Sequence, residues 1–123
     1  DSGILFLSYK AELNSSAKAS LKEFADVLKN YTDADVAIVG HTDNTGSDAI
    51  NNPLSLKRAQ SVESYLKSCG VTADQITSVD GKGSKEPVAD NGTAAGRTQN
   101  RRVEVFMYAS QEMIDAANAG TLK

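Results

Sequence analysis

The side chains able to do acid–base, metal or charge-pairing chemistry gather around one stretch, IVGHTDNTG at residues 38–46. A short apolar run ends there in the chain's single histidine, His41, and then in Asp43, within a polar turn closed by Gly46. A zinc site wants three or four protein ligands, commonly several His or Cys. This chain has one of each, His41 and Cys69, far apart in sequence, so neither a metal nor another cofactor is expected. The turn DNTGSD has the polar look of a calcium loop, but Gly46 falls at its fourth position, where an EF-hand needs glycine at the sixth.

Covalent catalysis needs a base within reach of a hydroxyl or thiol, with a third group to orient that base. No serine sits in a G-x-S-x-G elbow, and His41 reads as a structural or pocket-wall residue. In GKGSKEP, residues 81–87, Lys82 is followed by Gly83 and not by the Ser or Thr of a phosphate-binding loop, so this segment reads as a turn.

Opposite charges remain. Asp43 follows the second predicted strand, and Arg58 lies on the next helix, four residues from both Leu54 and Val62 and therefore on their side of it. Spacing leaves two readings open. The pair neutralises itself, or the carboxylate accepts a ligand's ammonium while the guanidinium grips a ligand's carboxylate.

The elements that must position these groups follow from hydrophobic periodicity. Residues 3–7 suit a first strand. Asn14 or Ser15 caps a helix whose Ala17, Leu21, Phe24, Ala25 and Leu28 share a face. Residues 35–39 are short, apolar and β-branched, as a buried strand is. Pro53 at the first helical position, with Asn52 as N-cap, opens a second helix through Ala59, Val62, Leu66 and Cys69, stopped by Gly70. Residues 76–79 form a weak strand, residues 81–100 a loop, and residues 103–108 alternate as a final strand. The tail at 110–122 suits a short amphipathic helix through Met113, Ile114 and Ala117. The expected class is α/β, in an α+β two-layer sandwich of order β-α-β-α-β-β. Two main helices would pack on a small mixed sheet, with a short C-terminal helix added.

At 123 residues the chain is one domain's worth, with a core over about 3–108 and a tail at 109–123. Its 40% hydrophobic and 24% charged content is that of a globular protein, and no apolar run approaches a membrane span. The net charge of −3 argues against a nucleic-acid surface, and Arg97, Arg101 and Arg102 read as a local pairing cluster. Cys69 has no internal partner and reads as a small buried hydrophobe. The chain opens at Asp1 with neither a basic nor an apolar leader, which suggests a mature or excised piece whose signal, anchor or barrel lies upstream.

Four blocks in order, GHTDNTG, then Asn51 with LSLKRAQSVESYL, then GKGSKEPVADN, then GRTQNRRVEVFM, resemble the OmpA-like peptidoglycan-binding domain over about residues 3–108. The resemblance implies the same mixed sheet and a non-catalytic module that binds the stem peptide of peptidoglycan. Asp43 and Arg58 would hold the diaminopimelate side chain, Asn51 and Arg101 would line its pocket, and Thr42 and Leu54 would complete the walls. It further implies a periplasmic domain of an outer-membrane-associated protein, joined to that membrane by an upstream segment, and the long tail is similar to lipoprotein versions. On this reading, removing Asp43 or Arg58 abolishes binding and leaves the fold intact. The resemblance is imperfect at one pocket edge, where Leu7, Ser8 and Tyr9 follow Phe6 in place of the family's small acidic or amide residue.

Overall fold

The computed structural model describes residues 4–109. Strand β1 (Ile4–Leu5) leads through a long loop to helix α1 (Ser15–Asn30), then come β2 (Asp35–Gly40), α2 (Asp48–Ser68), β3 (Ile76–Gly81), α3 (Ala94–Asn100) and β4 (Arg102–Tyr108). The four strands form one mixed sheet in the order β1-β4-β2-β3. β2 and β3 run parallel with α2 as their crossover, while β4 is antiparallel to β2 and to β1. The α+β architecture is therefore as read from periodicity. The predicted C-terminal helix falls outside the described residues.

Helix α1 begins where its composition places it: Asn14 caps it by accepting a 2.7 Å bond from the Ala17 amide, and Ala17, Leu21, Ala25 and Leu28 are buried. Along β2 burial alternates, so Val36, Ile38 and Gly40 face the helices. The Val36 and Ile38 side chains join Phe6, Leu28, Val62 and Val103 in one core between sheet and helices. On the opposite sheet face Phe106 and Tyr108 stack with ring centroids 6.4 Å apart and remain partly exposed.

Two elements depart from expectation. Helix α2 starts at Asp48 with Ser47 as N-cap, so Pro53 lies inside the helix and Asn52 caps nothing. A proline there leaves the Ala49 carbonyl without a helical partner. The surrounding residues 48–50, 52 and 53 are exposed, so water can satisfy it. Asp48 in the first turn also favours the N-terminal end of the helix dipole. Within the segment read as a loop, Thr93 accepts from the Gly96 amide and caps the short α3, whose last residue, Asn100, is buried.

Gly40 and Gly81 are opposite one another in the β2–β3 register. A Cβ on Gly40 would strike the Ser55 carbonyl, and one on Gly81 would come within 2.5 Å of the Leu56 amide. The absence of side chains here lets the α2 backbone lie directly on the strand ends. Arg58, three residues after Ser55, is thereby brought against the first residues beyond β2.

Candidate functional site

The HTD stretch is pinned to the sheet on both sides. The His41 amide donates to the Arg102 carbonyl at 2.8 Å and the Thr42 amide to the Gly83 carbonyl at 2.9 Å. Thr42 Oγ1 donates to the Asp43 carbonyl, and Asp43 Oδ1 accepts the Thr45 amide at 2.8 Å, which folds the turn back on itself. Gly46 closes this turn at φ 83°, a left-handed conformation suited to glycine. Starting α2 early carries Asn51 inward, where its side chain donates to the Thr45 carbonyl at 3.1 Å.

Arg101 supplies the counter-charge to Asp43. Its Nη1 donates to Asp43 Oδ2 at 2.9 Å, its Nε to the Phe6 carbonyl and its Nη2 to Thr98 Oγ1. Arg58 makes no ion pair among the described residues. Its Nε donates to the Lys10 carbonyl at 2.7 Å, and its Nη1 and Nη2 donate to the carbonyls of His41 and Leu7 at 3.0 Å each. The fully buried guanidinium also lies 5.3 Å from the centre of the Phe6 ring. Of the two readings left open by spacing, self-neutralisation of Asp43 and Arg58 is not what the fold contains.

Charge at the site follows its partners. Burial works against ionisation of Asp43, but the Thr45 amide and Arg101 outweigh it and hold the carboxyl below its ordinary value. Burial lowers the Arg58 pKa to about 10, opposed by Asp43, and leaves the guanidinium charged at neutral pH. One carboxylate thus faces two guanidiniums. Each arginine makes three of its five possible N–H bonds to protein, and Asp43 uses two of about four acceptor directions.

These groups line one enclosed pocket. Thr42, Asp43, Asn51, Leu54, Arg58 and Arg101 all contribute to it, so the structure brings every site residue expected from the sequence to one place. Ser8, Tyr9 and Thr45 complete its wall. Thr45 was legible in the Asp-x-Thr spacing of an Asx turn, and Ser8 and Tyr9 stand at the pocket edge where the resemblance departs from the family pattern, although the φ of 57° at Tyr9 has no mark in composition. The free volume is ≈ 10 Å³, room for about one water. Any group larger than a water would need this wall to move, and Tyr9 within it is half exposed.

His41 lies behind this pocket. It is 1% exposed, with Nε2 2.9 Å from Glu104 and Nδ1 without a hydrogen-bond partner. Of the arginine cluster, only Arg101 reaches the pocket; Arg102 lies 3.5 Å from Glu104, and Arg97 donates to the Asn91 carbonyl. No group of three or more His, Cys, Asp or Glu among the described residues is arranged to hold a metal.

A two-layer α+β fold with a charged pocket at the junction of β2, α2 and β4 defines a small binding domain. The chain belongs to the OmpA family, whose family model matches residues 5–101. It is 53% identical over 87 residues to the peptidoglycan-binding protein ArfA of Mycobacterium tuberculosis, covering 71% of this chain and 26% of that protein. It is 41% identical over 103 residues to outer membrane porin F of Pseudomonas fluorescens, covering 84% of this chain and 31% of the porin. The crystal structure of the peptidoglycan-associated lipoprotein from Burkholderia pseudomallei superposes with a TM-score of 0.81 at 29% identity, covering 85% of this chain and 87% of that one. The match spans between a quarter and a third of the two full-length relatives.

Proposed function

We propose that this domain is a non-catalytic peptidoglycan-binding module that clamps the diaminopimelate side chain of the stem peptide and anchors an envelope protein to the cell wall. The observation that carries this reading is the buried Asp43 carboxylate with unused acceptor directions, facing the Arg58 and Arg101 guanidiniums with unused donors. A ligand end bearing both an ammonium and a carboxylate matches that pattern, the ammonium on Asp43 and the carboxylate on the arginines. A lysine side chain offers only the ammonium. The relatives described as peptidoglycan-binding or peptidoglycan-associated support the same polymer as partner, and the porin and lipoprotein among them support a periplasmic setting at an outer membrane. No helix of the described residues is long and apolar enough to cross a membrane.

The domain is a binder and not an enzyme. His41 is buried with its Nε2 on Glu104 and does not line the pocket. Charge-assisted bonds of about 1.5–3 kcal/mol each are offset by desolvation and by opening the mouth. One site therefore binds in roughly the micromolar to millimolar range, and many copies on a repetitive polymer gain avidity. Calorimetric titration with a diaminopimelate-containing stem peptide, beside the same peptide carrying lysine, tests the clamp. Selective heat with the first is expected, and equal or absent binding of both would overturn it.

A further inference from the structure

Tyr9 borders a second space besides the Asp43 pocket. It is a far larger open groove of ≈ 1020 Å³, whose other walls include Lys10, Lys18, Lys57, Ser61 and Ser64. One wall is a stripe of α2: Lys57, Ser61, Ser64 and Ser68 recur at helical spacing, and Lys57 lies one turn beyond Leu54, which lines the small pocket. The opposite wall is the loop after β1, and it is fixed in place. Arg58 holds its Leu7 and Lys10 carbonyls, and Ser61 Oγ donates to its Ala11 carbonyl at 2.6 Å. Tyr9, at the junction of the two spaces, is held at a positive φ that a tyrosine rarely adopts, with its hydroxyl beside Gly46 of the Asp43 turn.

The groove's charge is opposite to that of the whole chain. Lys10, Lys18 and Lys57 meet one carboxylate, Glu12, in its lining, within a protein of net charge −3. The exposed Ser64 hydroxyl adds a hydrogen-bonding group beside the lysines, whereas Ser61 and Ser68 already donate to backbone carbonyls, and the aromatic side chains in the lining are Tyr9 and Tyr65. We infer that this groove receives the carboxylate-bearing backbone of the same peptide whose side-chain end enters the Asp43 pocket, with Lys57 as its first cationic contact. The inference rests on the clamp reading and extends it from a single residue to the acidic peptide around it. An extended peptide leaving the small pocket past Tyr9 meets Lys57 and Lys10 at the groove's near end, and Lys18 provides a further positive charge on the α1 side.

The test separates the two spaces. Three probes are titrated by calorimetry: free diaminopimelate, a diaminopimelate peptide whose neighbouring residue has a free carboxylate, and the same peptide with that carboxylate amidated. The wild-type chain is expected to prefer the free-carboxylate peptide over the amide by about two- to fivefold at low salt, with the preference shrinking as salt rises. Lys57→Gln, a substitution between good helix formers at an exposed position, should erase much of that preference, leave free diaminopimelate binding as it was, and be rescued by Lys57→Arg. Equal binding of acid and amide by the wild type, or a preference that survives Lys57→Gln, would overturn the groove assignment while the clamp stands. So would an uncharged amino-sugar oligosaccharide that shifts the Ser61 and Ser64 amide resonances while the carboxylate makes no difference. Failure of all three probes to bind the wild type would overturn the clamp, and the groove assignment with it.

Discussion

Arg101 Nη1 donates to Asp43 Oδ2 at 2.9 Å, so the carboxylate that follows β2 is neutralised by the residue that precedes β4 and not by Arg58. The bond spans 58 residues of sequence and ties the turn to the far end of the chain. Under the proposed clamp, a ligand ammonium would join a carboxylate that is already partnered, using the acceptor directions that Arg101 and Thr45 leave free.

Asp43→Asn keeps the shape of the side chain and an acceptor for the Thr45 amide but removes the charge. The expected outcome is loss of diaminopimelate binding by at least about tenfold, with a stability cost of roughly 1–3 kcal/mol. Asp43→Ala, which leaves the partly buried Arg101 without its ion-pair partner, should cost more, about 2–4 kcal/mol. Calorimetry and urea unfolding on the same preparations check both, and undiminished binding by Asp43→Asn would remove the carboxylate from the clamp.

For Arg58 the structure changes the expectation that substitution spares the fold. Its guanidinium satisfies the Leu7, Lys10 and His41 carbonyls, so Arg58→Ala strands three acceptors and should destabilise by about 3–5 kcal/mol. Arg58→Lys keeps a cation but cannot span three carbonyls, and its cost should be smaller, about 1–3 kcal/mol. Urea midpoints that match wild type for both variants would contradict this account.

The pH dependence has two windows. Burial is the chief cause holding His41 below its ordinary 6.5, Arg102 adds to it, and Glu104 opposes it. Because the folded pKa is depressed, this contribution is complete above 6.5 and is lost as pH falls from there through the folded value. Asp43 behaves alike further down: its contribution is present above 3.8 and disappears as pH falls through its lower folded pKa. An NMR titration should place the His41 midpoint below 6.5 and show it moving lower still in Glu104→Gln, which removes the stronger of the two carboxylates, Glu104 and Glu86, that raise it. A rise in that variant would refute the arrangement.

Gly40→Ala tests how closely α2 must approach the sheet. The added methyl meets backbone at Ser55, which cannot rotate away as a side chain could. Melting should show a loss of about 1–3 kcal/mol or more, and pocket binding should weaken because α2 carries Asn51, Leu54 and Arg58 into place.

Much of this was legible because periodicity survives packing. The α1 stripe and the apolar run of β2 report faces that the fold buries, whereas along β4 only Val103 and Val105 of the alternating set reach the core and Met107 is exposed. The start of α2 was not legible, since its exposed first turn carries no apolar repeat and Asn52-Pro53 imitates a cap. Nor was α3, whose two buried residues are Asn100 and a glycine, Gly96, required by the nearby Asp90 backbone rather than by a turn. At the site, residue types pointed to a pocket with opposite charges. They could not say which arginine meets Asp43, because that depends on how the loop after β1 folds over α2, and its carbonyls leave no trace in side-chain composition.

The placement of the pocket also has a mechanical side. Asp43 follows β2 and Arg101 precedes β4, and these two central strands share six paired residues, whereas edge strand β1 holds β4 through two. Under the proposed clamp, tension on a bound polymer would be delivered to the ends of the most extensively bonded strands in the sheet, and through Arg58 to the loop after β1 as well. Such a load is shared among many hydrogen bonds at once, so the ligand should detach before the domain yields.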